Sequence, residues 1–347
     1  MLAAVYHGPG DLRLEKVPEP SIGPGDLLMR VVAAGICGTD LRIIRGDHRR
    51  FPIGTVRIPG HEIVGTVKEV GSEVKGYTAG QVVFIAPNIG CGHCRECVSG
   101  NTNLCVSFEA IGITLDGGFA EYLRVPATAV LQGNVMPLNA GVDPAAAAMI
   151  EPFACVLRGQ DAVRILPGEI VLVMGAGPIG VMHVKLARMR GAGKILVSEP
   201  VPRRAAQISS MGADRVVDPA QEDLAAIVAE ETRGRGADVV IVAAPAHSAQ
   251  ESSLHLAGVG GRILFFGGLP KDRPSIAFDS NLVHYRELVV TGTTACSTGD
   301  CLRATGIVNS GRMDLSDVVS HRFPLASAAD AFAAAESRDS LKVILEP

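Results

Sequence analysis

The sequence predicts an α/β chain built from a β-rich domain and a doubly wound parallel-sheet domain inserted into it. Three observations carry this. Residues 1 to about 150 break into short β-branched or alternating runs split by Gly and Pro turns. From Glu169 onward, continuous buried-strand runs alternate with helical apolar spacing, the pattern of a parallel sheet with helices on both faces. The end of the chain, Lys342-Val343-Ile344-Leu345, reads as a strand that returns to the first domain. The expected boundaries are 1–152 with 288–347 for the β-rich domain and 153–287 for the insert.

Length and composition agree. A chain of 347 residues suggests two domains, and 47% hydrophobic content can fill a sizeable core. The 40 glycines fit many turns and close backbone approaches. A net charge of −4 gives no basic field for nucleic acid or membrane partners. No apolar run reaches the length of a membrane span. Met1-Leu2-Ala3-Ala4-Val5-Tyr6 reads as a first strand rather than a signal peptide. The expected location is the cytosol, where crowded cysteines favour metal over disulfides.

In the first domain, the predicted strands are Val5-Tyr6, Leu12-Arg13-Leu14, Asp26 to Val32, Glu62 to Val70 and Gln81 to Ile85. Gly117-Gly118 then feeds another alternating strand through Val125. Within this domain lies Cys91-Gly92-His93-Cys94-Arg95-Glu96-Cys97, followed after seven residues by Cys105. Four thiols at this spacing form a closed tetrahedral cage, the mark of a structural zinc lobe, here about 88–106. Zinc suits four thiolates because it is borderline soft and imposes no geometry of its own. The rival is an iron–sulfur cluster, but ferredoxin runs place their fourth Cys after three residues. His93 is left as a surface residue of the lobe.

A second set of metal-ligating residues is dispersed. Pro59-Gly60-His61-Glu62-Ile63-Val64-Gly65 sets an imidazole beside a carboxylate at the start of a β-branched run. Cys37 lies upstream in Gly35-Ile36-Cys37-Gly38-Thr39-Asp40, and Glu151 far downstream in Glu151-Pro152-Phe153. Cys, His and Glu together are the ligand set of an open zinc site, with a fourth position for water or substrate. The plainer alternative is a satisfied polar pair in a strand. Glycines at 60, 65 and 71 point instead to close backbone approach.

In the insert, the strand Glu169 to Met174 runs into Gly175-Ala176-Gly177-Pro178-Ile179-Gly180 and then a helix with apolar spacing at Val181, Val184 and Ala187. This is GxGxxG in the strand–turn–helix context it requires. The first Gly permits the tight turn, the second lets the backbone approach a pyrophosphate, and the third packs helix on strand. The helix N-terminus offers its N–H groups to the phosphates. The strand Lys194 to Ser198 ends at Glu199, about 20 residues past the last glycine, where a carboxylate accepts the ribose hydroxyls of NAD and repels the phosphate of NADP. Arg203 and Arg204 leave room for NADP. Further strands at Val216-Val217, Asp238 to Val242, Gly261 to Phe265 and Glu287 to Thr291, with helices near 221–233 and 248–257, complete a Rossmann sheet.

Gly60-His61-Glu62 followed by Gly65, Gly71 and Val74 resembles the signature of the zinc-containing medium-chain dehydrogenases (alcohol, sorbitol and threonine dehydrogenases). Cys37-Gly38-Thr39-Asp40 resembles that family's first metal-ligand loop. The resemblance covers nearly the whole chain and is to the sorbitol (L-iditol)/threonine branch. It implies a GroES-like catalytic domain with an inserted Rossmann domain, a catalytic and a structural zinc per chain, and NAD as cofactor. It makes Glu151 the acid that sorbitol-type members contribute from a Glu-Pro pair, completing a ligand set of Cys37, His61 and Glu151. Glu62 is an alternative ligand or a partner behind the ligands. Thr39 matches the hydroxyl that hands the substrate proton onward.

The chain departs from the family just after. Many members place a His three residues beyond this Thr; here it is Arg42, which stays protonated and cannot act as a base. Proton exit then runs through ribose and water, or through His48. The basic run Arg45, His48, Arg49 and Arg50 is a solvated loop or the mouth of a site for an anionic sugar.

The implied reaction is hydride transfer between NAD and a secondary alcohol, a polyol or sugar alcohol going to a ketose, in a cleft between the domains. The enzyme alternatives are threonine dehydrogenase and a sugar-phosphate alcohol dehydrogenase. A cofactor-binding sensor is the alternative outside catalysis. The family implies a homodimer or homotetramer.

Overall fold

The computed structural model describes residues 1–337 and 340–347, which form two compact units, Met1–Ala154 with Ala295–Pro347, and Cys155–Thr294.

The first unit is organised by a seven-stranded sheet. Its order is Val319–Pro324, Lys342–Glu346, Leu27–Ile36, Glu62–Val70, Val82–Ile85 and Val135–Pro137, with Tyr122–Val125 also pairing with Leu27–Ile36. All neighbours are antiparallel except Val319–Pro324 with Lys342–Glu346. The chain end thus returns to the first unit, as its β-branched pattern predicts. Two further hairpin-like pairs are Leu2–Gly8 with Asp11–Lys16 and Asn88–Ile89 with Glu109–Ala110.

The core of this unit gathers Leu27, Met29, Val31, Ile63, Val67, Val83, Ile85 and Phe119. Each such side chain removed from water contributes roughly 1.5–3 kcal/mol, and the alternation along Glu62–Val70 decides which residues face inward. The glycines in and just before this strand are explained by contact. A methyl at Gly60 would strike the Phe119 ring, and one at Gly65 would overlap the Arg30 carbonyl.

The second unit is a parallel six-stranded sheet in the order Arg215–Val217, Lys194–Ser198, Ile170–Met174, Ala237–Val242, Ala257–Phe265 and Val289–Gly292. Numbered within the unit this is 3-2-1-4-5-6, the doubly wound dinucleotide-binding order. The helices predicted near 221–233 and 248–257 occupy Leu224–Glu231 and His247–Leu256. Val289–Gly292 is held by parallel pairing with Ala257–Phe265, so this unit extends to Thr294, past the boundary at 287/288 that the sequence suggests.

The Glu151-Pro152 pair sits in the first turn of the helix Ile150–Val163, where proline's missing N–H costs no hydrogen bond. Asp143 caps the short helix Pro144–Ala147, accepting from Ala145 N at 3.2 Å.

Candidate functional site

Cys37 is the N-cap of the helix Gly38–Ile44, at the end of the central strand Leu27–Ile36. The antiparallel register sets Gly35 opposite Glu62. That pairing brings the Cys37 turn against the start of Glu62–Val70, and donor atoms of Cys37, His61 and Glu62 all lie within 4.8 Å of one another. His61 and Glu62 are buried and Cys37 is half-buried. A methyl at Gly35 would overlap Glu62 Oε2, so a side chain there would displace the acid.

Two residues that motif reading leaves unassigned hold this group in place. Asp40 is wholly buried. Its Oδ2 accepts from Cys37 N at 2.8 Å, and its Oδ1 lies 3.5 Å from His61 Nδ1. That second distance is an ionic contact rather than a formed hydrogen bond. An Nδ1 turned toward a carboxylate leaves Nε2 as the ring atom that could meet a metal. Burial pulls the His61 imidazole down, but the nearby Asp40 and Cys37 charges outweigh it and hold the ring well above its usual value.

Lys342 is the other. It is 4% exposed, and its Nζ donates to both Glu62 oxygens at 2.7 and 2.8 Å and to Ile36 O at 3.2 Å. Burial disfavours its charge, yet Glu62, Cys37 and Asp40 raise its pKa. A Lys flanked by Leu341 and Val343 in an apolar strand is the sequence signal for such a buried cation. Asp40 shows itself only as an acid three residues after a cap.

Glu151 is buried, and its Oε1 lies 3.7 Å from Cys296 Sγ. Thr39 Oγ1, half-buried, accepts from Arg42 Nη2 at 3.2 Å. His48 sits edge-on to Phe51, and its Nδ1 accepts from Arg50 N at 3.4 Å. Of the basic run, Arg45 pairs with Glu336 at 3.0 Å, and Arg50 stacks over Phe108 and donates to its carbonyl. Arg49 projects into solvent.

The four-cysteine lobe is preformed. Cys91, Cys94, Cys97 and Cys105 have their sulfurs within 4.8 Å of one another, with Cys91 and Cys97 at 3.9 Å. A tetrahedral zinc with Zn–S of about 2.3 Å sets thiolates roughly 3.8 Å apart, so the donor set fits the ion. Backbone N–H groups of Cys91, Cys94 and Cys97 point at cysteine sulfurs at 3.4–3.5 Å. Hydrogen bonds from neighbouring backbone lower the Cys91 thiol to about 6, whereas burial drives Cys97 up to about 12. His93 turns its Nδ1 to the Cys91 carbonyl at 2.9 Å and is exposed.

In the second unit, Gly175 has φ +106°, a left-handed turn that only glycine adopts without strain. Gly177 caps the helix Pro178–Met189, Pro178 is its first residue and Ile179 its second. A methyl on Gly180 would overlap the Gly175 carbonyl, so the helix packs directly on the turn. Glu199 is 4% exposed; its Oε2 accepts from Ala176 N at 2.6 Å and its Oε1 from Val201 N at 2.9 Å. The acid therefore ties the glycine turn to the next βα turn, a role the sequence pattern does not reveal. Arg204 approaches the same loop, its Nη1 3.9 Å from where a Gly177 methyl would stand.

A GroES-like sheet bearing a Cys–His–Glu cluster and a thiolate cage, with a 3-2-1-4-5-6 unit bearing a glycine turn, defines a class: zinc-containing, nicotinamide-dependent alcohol oxidoreductases. Comparison with known proteins bears this out. Residues 23–137 match the alcohol dehydrogenase GroES-like domain, and residues 178–309 match the zinc-binding dehydrogenase domain. The chain is 33% identical to the L-threonine 3-dehydrogenase of Chromobacterium violaceum, over 99% of this chain and 98% of that one. It is 32% identical to the L-galactonate-5-dehydrogenase of Escherichia coli K12, over 96% and 94%. A zinc-binding dehydrogenase of Sinorhizobium meliloti 1021, determined with NADP bound, superposes with a TM-score of 0.91 at 33% identity, covering 100% of this chain and 99% of that one. The chain belongs to the zinc-binding dehydrogenase family and is an NAD(P)-dependent oxidoreductase acting on an alcohol. No helix among the described residues is long and apolar enough to cross a membrane.

Proposed function

We propose that this chain moves a hydride between NAD and a secondary alcohol of a polyol or sugar alcohol, giving the ketose. The first unit is the catalytic domain and the second the NAD-binding domain. The observation that carries the reading is the convergence of Cys37, His61 and Glu62 on one point. Cys37 and His61 are the zinc ligands, joined by an acid drawn from Glu62 and Glu151. Cys91, Cys94, Cys97 and Cys105 hold the second, structural zinc. When bound, the catalytic zinc polarises the C–O bond and lowers the pKa of the hydroxyl, and NAD accepts the hydride.

The rest is done by side chains. Asp40 fixes both the Cys37 turn and the His61 ring. Lys342 neutralises Glu62 in a buried setting. Thr39 takes the hydroxyl proton. Arg42 donates to Thr39 and cannot itself accept that proton, so the proton leaves through ribose and water or through His48. The backbone of the 175–180 turn binds the pyrophosphate, with Arg204 beside it. Glu199 meets the ribose with the lone pairs left over from its two backbone bonds. A carboxylate there favours NAD.

The polyol reading is supported by a relative named for L-galactonate, a polyhydroxylated substrate. L-Threonine is the second reading, supported by the relative named for it. The ion pair and ring contact that occupy Arg45 and Arg50 lend little support to a phosphate site on that loop.

The test is a panel of polyols, aldonates, L-threonine and sugar phosphates with NAD and NADP on zinc-loaded protein, compared by kcat/KM. A polyol turned over with NAD, and lost in Cys37→Ser, is the expected result. Threonine as the preferred substrate would replace the substrate and keep the chemistry. Absence of turnover for the whole panel, with zinc and NAD bound, would sink the reading.

A further inference from the structure

Cys296 and Cys301 lie outside the Cys37–His61–Glu62 group and the four-cysteine lobe; Cys296 shares a third potential metal-holding group with Glu151, and the two cysteines lie side by side. Their sulfurs are 3.5 Å apart, and both residues are buried, at 0% and 1% exposed. Cys296 Sγ also lies 3.7 Å from Glu151 Oε1 and 3.8 Å from Glu151 O. Cys296 follows Ala295, whose φ is +52°, and its carbonyl is held by Asn88 Nδ2 at 3.0 Å. Cys301 lies in the first turn of the helix Thr298–Asn309. That turn is closed by a capping box in which Ser297 Oγ accepts from Asp300 N and Asp300 Oδ2 accepts from Ser297 N.

We propose that Cys296 and Cys301 are a thiol–disulfide modification site, oxidised by a small peroxide, whose state is read by the Glu151 carboxylate. A disulfide requires sulfurs about 2.05 Å apart, so closing the pair needs an approach of roughly 1.5 Å. The capped helix fixes Cys301, so Cys296 makes most of that movement. As a thiol, Cys296 donates its S–H toward Glu151. As a disulfide it has no hydrogen to donate, and its sulfur has moved.

The chemistry balances. One sulfur attacks a peroxide oxygen, breaking the O–O bond, and becomes a sulfenic acid as water leaves. The second sulfur attacks the first, forming S–S and releasing a second water. Two thiols lose two electrons and two protons, and hydrogen peroxide gains them to give two waters. Both residues are at most 1% exposed, so the oxidant has to be small.

The consequence for turnover rests on the reading of Glu151 as an acid of the catalytic centre; the thiol chemistry does not. The experiment exposes zinc-loaded protein to hydrogen peroxide, blocks remaining thiols, and maps peptides with and without reduction. A cross-linked Cys296–Cys301 peptide is expected, with kcat/KM lowered about tenfold, the scale of losing a partner of a ligand, and restored by dithiothreitol. Cys301→Ser keeps the resting kcat/KM and resists peroxide. The wild-type peptide map decides the matter even where that variant folds poorly. No cross-link at peroxide concentrations that oxidise exposed methionines, or equal peroxide sensitivity in Cys301→Ser, overturns the proposal. Absent turnover in untreated enzyme would instead overturn the functional reading.

Discussion

Two buried histidines, one in each unit, meet opposite fates. His61 is 7% exposed and His183 not at all. Burial drives both toward neutrality. Around His61, the Asp40 carboxylate and the Cys37 sulfur outweigh that push and raise the ring's affinity for a proton. Around His183, burial is reinforced by the Arg190 charge, and the pKa falls to about 3. Its ring meets the Gln160 amide at 3.3 Å and the Phe266 ring edge-on at 4.8 Å, and its Nε2 has no hydrogen-bond partner among the described residues. The difference teaches that a buried imidazole becomes a site through its partners. One ring is built to carry charge or metal, and the other is a core residue that must stay neutral.

The partners of His61 offer the sharpest ways to break this contrast. Cys37→Ser removes a proposed ligand, and kcat/KM should fall about a thousandfold, in line with losing several kcal/mol of Lewis-acid stabilisation. Bound zinc should fall from two per chain to one, since the lobe is separate; metal analysis alongside kinetics checks both. Lys342→Met strands the Glu62 carboxylate in the core. It should destabilise the first unit by about 3–5 kcal/mol in urea unfolding, and adding Glu62→Gln should recover much of that loss.

His183 provides the other arm. Its folded pKa lies below the unfolded value, so the unfolded state binds more protons as pH falls. Stability is therefore complete above about 6.5 and is lost progressively toward pH 3. Between pH 6.5 and 4.5 this amounts to about 2–3 kcal/mol. His183→Leu should flatten that acid limb in denaturant titrations, while a variant at His61 should not reproduce the change. The smallest effect belongs to Asp40→Asn, which keeps the shape and removes the charge behind His61. A loss of about 10–100-fold in zinc affinity or kcat/KM is expected, and unchanged values would show that the 3.5 Å contact does not orient the ring.

Much of this was legible in the chain. The lobe's four cysteines are close in sequence, so spacing alone states the cage. The glycine turn is likewise local, and Gly175, Gly177 and Gly180 meet the strand and helix they require. The partners His61 of Asp40, Glu62 of Lys342 and Glu151 of Cys296 were not legible, because only sheet pairing or a distant loop brings each near. Glu151 shows the same limit. Its Glu-Pro pair drew attention, but its place beside Cys296 depends on a segment 145 residues further on.

By itself, then, the sequence determined the elements, the cofactor turn, the thiolate cage and the identity of the acids, bases and thiols on offer. Those rest on periodicities and spacings within a few turns of chain. The tertiary structure decided which of them share a dielectric environment. The pairing of Leu27–Ile36 with both Glu62–Val70 and Lys342–Glu346 put Lys342 on Glu62 and Asp40 on His61. Charge interactions fall with distance and strengthen as water is excluded. Protonation and metal affinity are therefore properties of assembled neighbours, which one-dimensional order does not contain.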